Sequence, residues 1–242
     1  MSGQDVSRVL DLLGGSHAVE QAATRADVLC VFAYGSQARG DYADNSDLEL
    51  GVIGRTTRSR SAQLFLGELG SPSDVRAYPF TLDDLKKANP EVPFSRRIFT
   101  AELKFSSLTI VGEPIAGKIP APTLNPYDLL EEHAMMRARL IDAMLAAREA
   151  QTVGPQIAWK ATLMAARLWV LNEQHRLVSN RDKLRAFDWP YDFRELVSWM
   201  DFAYCCDSLS RQPDSIRDII SLATGPIYDA IVNNSTSFVP LP

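Results

Sequence analysis

The run Ser46-Asp47-Leu48-Glu49-Leu50 alternates charge with apolar bulk at the head of DLELGVI (47–53), a stretch that reads as a β-strand. Alternate residues of a strand share a face, so Asp47 and Glu49 project together while Leu48 and Leu50 turn into a core. Two neighbouring carboxylates repel and resist joint ionisation. A divalent cation removes that penalty, and Mg²⁺ takes one or two carboxylates together with the phosphate oxygens of a substrate. Just upstream, VFAYGSQARG (31–40) sets Gly35-Ser36 directly after an apolar run. Gly35 lets the backbone approach a ligand closely. A short helix through Gln37 to Arg39 would aim main-chain N–H groups outward, as a phosphate requires, and the Ser36 hydroxyl adds a further hydrogen bond. Phosphate cradle and metal ligands therefore fall within fifteen residues. The plain alternative is an N-capped strand with solvated carboxylates. Loop, strand context and spacing together favour the ligand reading.

These residues need a sheet to hold them. VLCVFAY (28–34) is β-branched and aromatic and reads as a buried strand, followed by 47–53, by SDVRAYPF (73–80), and by SLTIVGEPI (107–115) closed at Gly112. Pro79 is expected to end the third strand or mark an edge. Helical spacing covers 4–13, 16–25 (with Ser16 as N-cap), 57–69, 81–88 and 95–104. Thr81 three residues before Asp84 is a helix-start signature, which makes Asp83 and Asp84 first-turn residues complementing the helix dipole. The prolines at 114, 120, 122 and 126 mark a linker. Beyond it, 127–150, 156–176, 191–206 and 213–233 all read as helix. The expected class is α+β: residues 1–118 form a small mixed sheet flanked by helices, and residues 119–242 form a helical bundle.

Composition narrows the function. The 242 residues are 46% hydrophobic and 23% charged, a globular balance, and no apolar run approaches a membrane span. The N-terminus lacks the basic flank and apolar stretch of a secretory signal. Three cysteines, Cys30 and the adjacent Cys205 and Cys206, suit neither a disulfide framework nor a zinc site, so a cytoplasmic setting is expected. A net charge of −5 argues against a long nucleic acid as partner and accommodates a small polar or cationic substrate.

Gly35-Ser36, Arg39-Gly40 and Ser46-Asp47-Leu48-Glu49-Leu50 resemble the Gly-Ser…Arg-Gly…Ser-Asp-(apolar)-Asp/Glu signature of the DNA polymerase β-like nucleotidyltransferases. Kanamycin nucleotidyltransferase likewise has Glu as its second carboxylate. The resemblance implies that Asp47 and Glu49 bind two Mg²⁺ ions that hold an NTP, with a third carboxylate on the next strand. Asp74 occupies that place. WKATLMAARLWVLNEQHRLVSNRDK (159–183) resembles a segment of the streptomycin and spectinomycin adenylyltransferases, in which a basic residue reaches the triphosphate. Arg181, Lys183 and Lys160 are the candidates, beside Gly35, Ser36 and Arg39. Those enzymes carry a general-base glutamate at the head of this segment, where the present chain has Ala158. Glu131, Glu132 and His133 are the replacements considered, with Glu132 the choice.

The function implied is transfer of an NMP, AMP by preference, from NTP to a hydroxyl of a small acceptor such as an aminoglycoside-like antibiotic, held between the two halves, with loss of pyrophosphate. The rivals are an AMP-adding enzyme of toxin–antitoxin type that modifies protein, and a catalytically silent nucleotide-binding protein. No membrane partner is expected, and a homodimer is compatible with the sequence. His17 and His175 read as surface or helix-end histidines, Trp159, Trp169 and Trp199 as core, and Tyr34 as packing beside the Gly-Ser turn.

Overall fold

The structure, a computed structural model, describes residues 3–42, 46–55, 58–92, 94–149, 154–202 and 213–242. Cys205 and Cys206, and the side chain of Trp199, lie outside that description. The chain divides into two compact units, Met1–Pro122 and Thr123–Pro242.

The first unit runs α1 (Gly3–Leu12), α2 (Ser16–Arg25), β1 (Val28–Tyr34), α3 (Gly35–Arg39), β2 (Leu48–Gly54), α4 (Arg58–Glu68), β3 (Val75–Phe80), α5 (Leu82–Lys86), α6 (Arg96–Ser106) and β4 (Leu108–Gly112). The four strands form one mixed sheet in the order β3-β2-β1-β4. β1 pairs antiparallel with β2 and β4, whereas β2 and β3 are parallel and joined through α4. A parallel pair needs such a crossover, and the helix covers one face of the sheet. β3 continues through Pro79 to Phe80 and is an edge strand, the second of the two expectations for Pro79: a residue without an N–H is tolerated there.

Strand alternation sorts the side chains onto two cores. Val31, Ala33, Leu48, Leu50 and Val52 join Val9, Val19, Ala22, Ala62 and Phe65 of α1, α2 and α4. On the opposite face, Cys30, Phe32, Ile53 and Phe80 pack with Leu85, Phe99 and Leu103 of α5 and α6. Ser16 does not cap α2: Gly15 is the N-cap, and no side chain bonds the first turn. Thr81 does cap α5, its hydroxyl accepting from the Asp84 N–H at 3.0 Å and donating to the Asp84 carboxylate at 2.6 Å. Burial pushes the Cys30 thiol up to about 11, only partly offset by Lys118, so it is held as an inert apolar filler.

The second unit is helical: α7 (Pro126–Arg148), α8 (Gly154–Gln174), α9 (Arg181–Arg185), α10 (Arg194–Phe202), α11 (Pro213–Leu222) and α12 (Tyr228–Asn233), the last two joined by a π-helical turn at Ala223–Ile227. α7 buries Leu129, His133, Met136, Leu140 and Ala143, a stripe with the three- and four-residue spacing of one helix face, and α8 is its main partner. His133 belongs to this core. Its Nε2 donates to the Ala223 carbonyl at 2.7 Å, at the turn where Pro226 interrupts regular helix bonding. His175 ends α8, stacked on Phe238 at 4.0 Å between ring centres.

Gly51 of β2 lies beneath the Phe32 ring, which fills the volume that a Cβ at 51 would need. Gly51→Ala is expected to destabilise the fold by about 1–3 kcal/mol through overpacking, read as a lowered Tm with unchanged secondary structure. At pH 8, peptide mapping after iodoacetamide treatment should show Cys30 unmodified in the folded protein and modified in denaturant.

Candidate functional site

The site residues converge where β1 ends and β2 and β3 begin. β1 delivers Tyr34, and the chain turns at Gly35, whose φ of 72° lies in the left-handed region that other residues rarely adopt. The strand register sets Tyr34 opposite Glu49. The Glu49 carboxylate occupies the space that a side chain at position 35 would fill. Gly35 thus serves the chain itself: its bare Cα lets the second carboxylate lie against the Gly-Ser turn. α3 ends at Gly40, also left-handed, whose N–H donates to the Ser36 carbonyl.

A part-buried relay fixes this geometry. Arg8 of α1 donates to the Gln37 side-chain oxygen at 2.6 Å and to the Gln37 carbonyl at 2.7 Å. Gln37 is 6% exposed and donates through Nε2 to the Ser46 carbonyl at 2.9 Å. The guanidinium also lies over the Tyr42 ring, 3.8 Å from its centre. Through these bonds α1 ties the Gly-Ser helix to the residue preceding Asp47. Arg39 turns inward: its Nε bonds Asp41 at 3.2 Å, with the Asp41 side chain buried and that of Arg39 partly so. The guanidinium expected to face a phosphate has an internal carboxylate partner that closes the loop.

β2 and β3 pair Leu48 with Val75 and Glu49 with Arg76, and the Leu48 N–H donates to the Asp74 carbonyl at 2.8 Å. Asp74 therefore lies one position upstream of the ladder, alongside Asp47, with its carboxylate accepting from the Ser73 hydroxyl at 3.2 Å. The Arg76 guanidinium bonds Asp47 at 2.8 Å. Among the described residues no group of three or more His, Cys, Asp or Glu is placed to hold a metal ion. The structure thus brings Asp47 and Glu49 onto one strand face and Asp74 to the adjacent strand end, without closing the three into a ready-made cluster. The donor set consists of carboxylate oxygens, hard ligands that suit Mg²⁺, and one of them already attracts a cation.

Behind Glu49 stands an aromatic wall. Tyr34 lies 5.6 Å from Phe99, 6.2 Å from Phe80 and 6.3 Å from Tyr78, measured between ring centres. Burial, then the Glu49 carboxylate and Tyr78, push the Tyr34 hydroxyl far above its ordinary value, so it remains a neutral donor. Asp83 and Asp84 are taken up by α5: Asp83 pairs with Lys87, whose ammonium is held above its usual value by that hydrogen bond, and Asp84 is bonded to Thr81.

In the second unit, Lys160 is exposed on α8, Lys183 is exposed on α9, and Arg181 is buried in the first turn of α9. Glu132 is half-buried on α7 and Glu131 is exposed. Sequence reasoning missed Arg8, Gln37 and Arg76. The first carries no local signal. Arg76 was within reach, since two-residue alternation from Asp74 places it on the same face.

No protein-family model matches the chain, and no curated protein matches it. Its fold is found in a solved structure. Spectinomycin adenyltransferase AAD(9) from Enterococcus faecialis, crystallised with ATP and spectinomycin, superposes with a TM-score of 0.50 over 90% of this chain and 98% of its own, at 10% identity. The fold shared with that adenyltransferase is a small mixed sheet flanked by helices, followed by a helical region.

Arg8→Ala is expected to cost about 1.5–3 kcal/mol, the range for hydrogen bonds to a charged group. Native-state amide exchange should accelerate across α3 and at Leu48 more than at the centre of β1, because the relay ends at Ser46.

Proposed function

We propose that the chain is a nucleotidyltransferase that moves a nucleoside monophosphate, AMP by preference, from an NTP to a hydroxyl of a small polar acceptor and releases pyrophosphate. The observation that carries this reading is the Asp47–Glu49 strand face lying against the Gly35-Ser36 turn. The fold supports it, being shared with an adenyltransferase solved with ATP and spectinomycin. Among the described residues no helix is long and apolar enough to cross a membrane.

Asp47, Glu49 and Asp74 would hold Mg²⁺, which supplies charge neutralisation at the transferring phosphoryl group. The Ser36 hydroxyl and the main chain of the Gly-Ser turn hold phosphate oxygens. The relay from Arg8 keeps that turn in register with Asp47, so that position is set before substrate arrives. The acceptor oxygen bonds to the α-phosphorus, the bond from that phosphorus to the bridging oxygen breaks, and pyrophosphate leaves with the electron pair. The acceptor proton passes to a carboxylate. Asp74, which Arg76 does not engage, suits that task as well as it suits metal binding. The neutral Tyr34 hydroxyl cannot serve as the base, because burial and Glu49 hold its proton.

One observation favours a second reading, a catalytically silent nucleotide-binding protein: the Arg76 guanidinium bonds Asp47, the first carboxylate of the signature. The assay that separates the two is incubation of the protein with each labelled NTP, Mg²⁺ and a panel of aminoglycosides, lincosamides and sugar phosphates, followed by detection of pyrophosphate. Turnover with an acceptor supports the first reading; nucleotide binding with no release across the panel supports the second. Asp47→Asn should reduce turnover by more than about a hundred-fold with the fold intact, since losing a ligand exceeds the effect of losing an outer partner. Asp74→Asn distinguishes its two roles. A metal ligand weakens Mn²⁺ binding when removed; a base leaves Mn²⁺ binding unchanged and removes the rising limb of the pH–rate profile.

A further inference from the structure

The row of side chains on this end of the sheet is not purely acidic. Asp74 immediately precedes β3, Arg76 follows two residues later, and the ladder sets Arg76 beside Glu49. Its Nη2 lies 2.8 Å from Asp47 Oδ2. The guanidinium therefore supplies the positive charge that two carboxylates on one strand face demand. Both side chains remain accessible, Arg76 at 60% and Asp47 at 40%, so the pair is neither sealed nor locked.

We propose that Arg76 is a resident counter-ion, which a divalent cation must displace from Asp47 and which then turns to the phosphates of the nucleotide. This rests on the reading of Asp47 and Glu49 as metal ligands. A guanidinium and a metal ion compete for the same carboxylate oxygens. The chain thus resists metal alone and accepts metal with an NTP, because the triphosphate offers the released guanidinium an anionic partner with matching geometry. Arg76 opposes one ligand and assists the other. A merely structural ion pair would oppose the metal without assisting the nucleotide.

The test is Mn²⁺ binding, followed by the electron paramagnetic resonance signal of the free ion, with and without a non-hydrolysable ATP analogue. Arg76→Gln should bind Mn²⁺ alone about two- to five-fold more tightly than the wild type, the range for an exposed ion pair. It should bind the Mn²⁺–nucleotide pair more weakly, reversing the sign. Arg76→Lys, which keeps the charge and loses the fork, should fall between. Arg55→Gln removes the same charge at the opposite end of β2 and should leave Mn²⁺ affinity unchanged. In an Asp47→Asn background, Arg76→Gln should no longer tighten Mn²⁺ binding. If the wild type and Arg76→Gln bind Mn²⁺ equally well, the inference is overturned while the metal-site reading stands. If neither binds Mn²⁺ with or without nucleotide, both are overturned. If Arg55→Gln tightens binding as much as Arg76→Gln, the effect is the general field of the protein, and the inference is again overturned.

Discussion

The parity of β2 is the constraint on which the rest of the site depends. Leu48, Leu50 and Val52 are sunk in the core beneath α1, α2 and α4, while the residues between them face the opposite way. A slip of one residue would turn two carboxylates into the core under α1, α2 and α4 and drive large side chains into the space beneath Phe32 where only Gly51 fits, a penalty far beyond the marginal stability of a domain this size. The same apolar packing that stabilises the sheet therefore fixes where the carboxylates point. The crossover through α4 extends that ordering to β3, and parallel pairing carries it from Asp47 and Glu49 to Asp74 and Arg76.

A strand alone would leave the turn after β1 free to drift. Two contacts of different character prevent this. One is steric: the Glu49 carboxylate against the bare Cα of Gly35. The other is a chain of part-buried hydrogen bonds from Arg8 through the buried Gln37 to Ser46. The aromatic wall around Tyr34 adds a low-dielectric backing to Glu49, which strengthens every charge interaction in front of it. Shape, hydrogen bonding and dielectric act on the same few atoms.

Much of this was legible in the residues. Strands announced themselves by β-branched and aromatic composition, and the alternation at Asp47–Glu49 revealed a shared face without any structure. Thr81 and Asp84 encoded a helix start in local chemistry alone. What escaped was whatever depends on distant partners. Ser16 has the chemistry of a cap, yet the chain places Gly15 there. Pro79 left two readings open, a strand end or an edge, and only the order of the strands decides for the edge. Arg39 looked outward in sequence because its partner Asp41 sits in a loop whose path no periodicity reports. Arg8 acts on a residue twenty-nine positions away, a separation invisible to any local pattern. His133 drew attention as a chemical group, but its neighbour is a carbonyl ninety residues on, so it serves helix packing.

The contact between Glu49 and Gly35 also constrains how this chain can change over generations. Position 35 can gain a side chain only after position 49 has lost its carboxylate or moved it aside, because the two occupy one volume. Position 49 is under no such reciprocal rule; a smaller residue there merely leaves a gap. Decay of the site would therefore follow a preferred order, acid first and glycine second. A descendant with Gly35 intact and Glu49 replaced would mark an intermediate on that route, whereas the reverse combination would require the Glu49 carboxylate to swing aside and a side chain to adopt the left-handed φ at position 35.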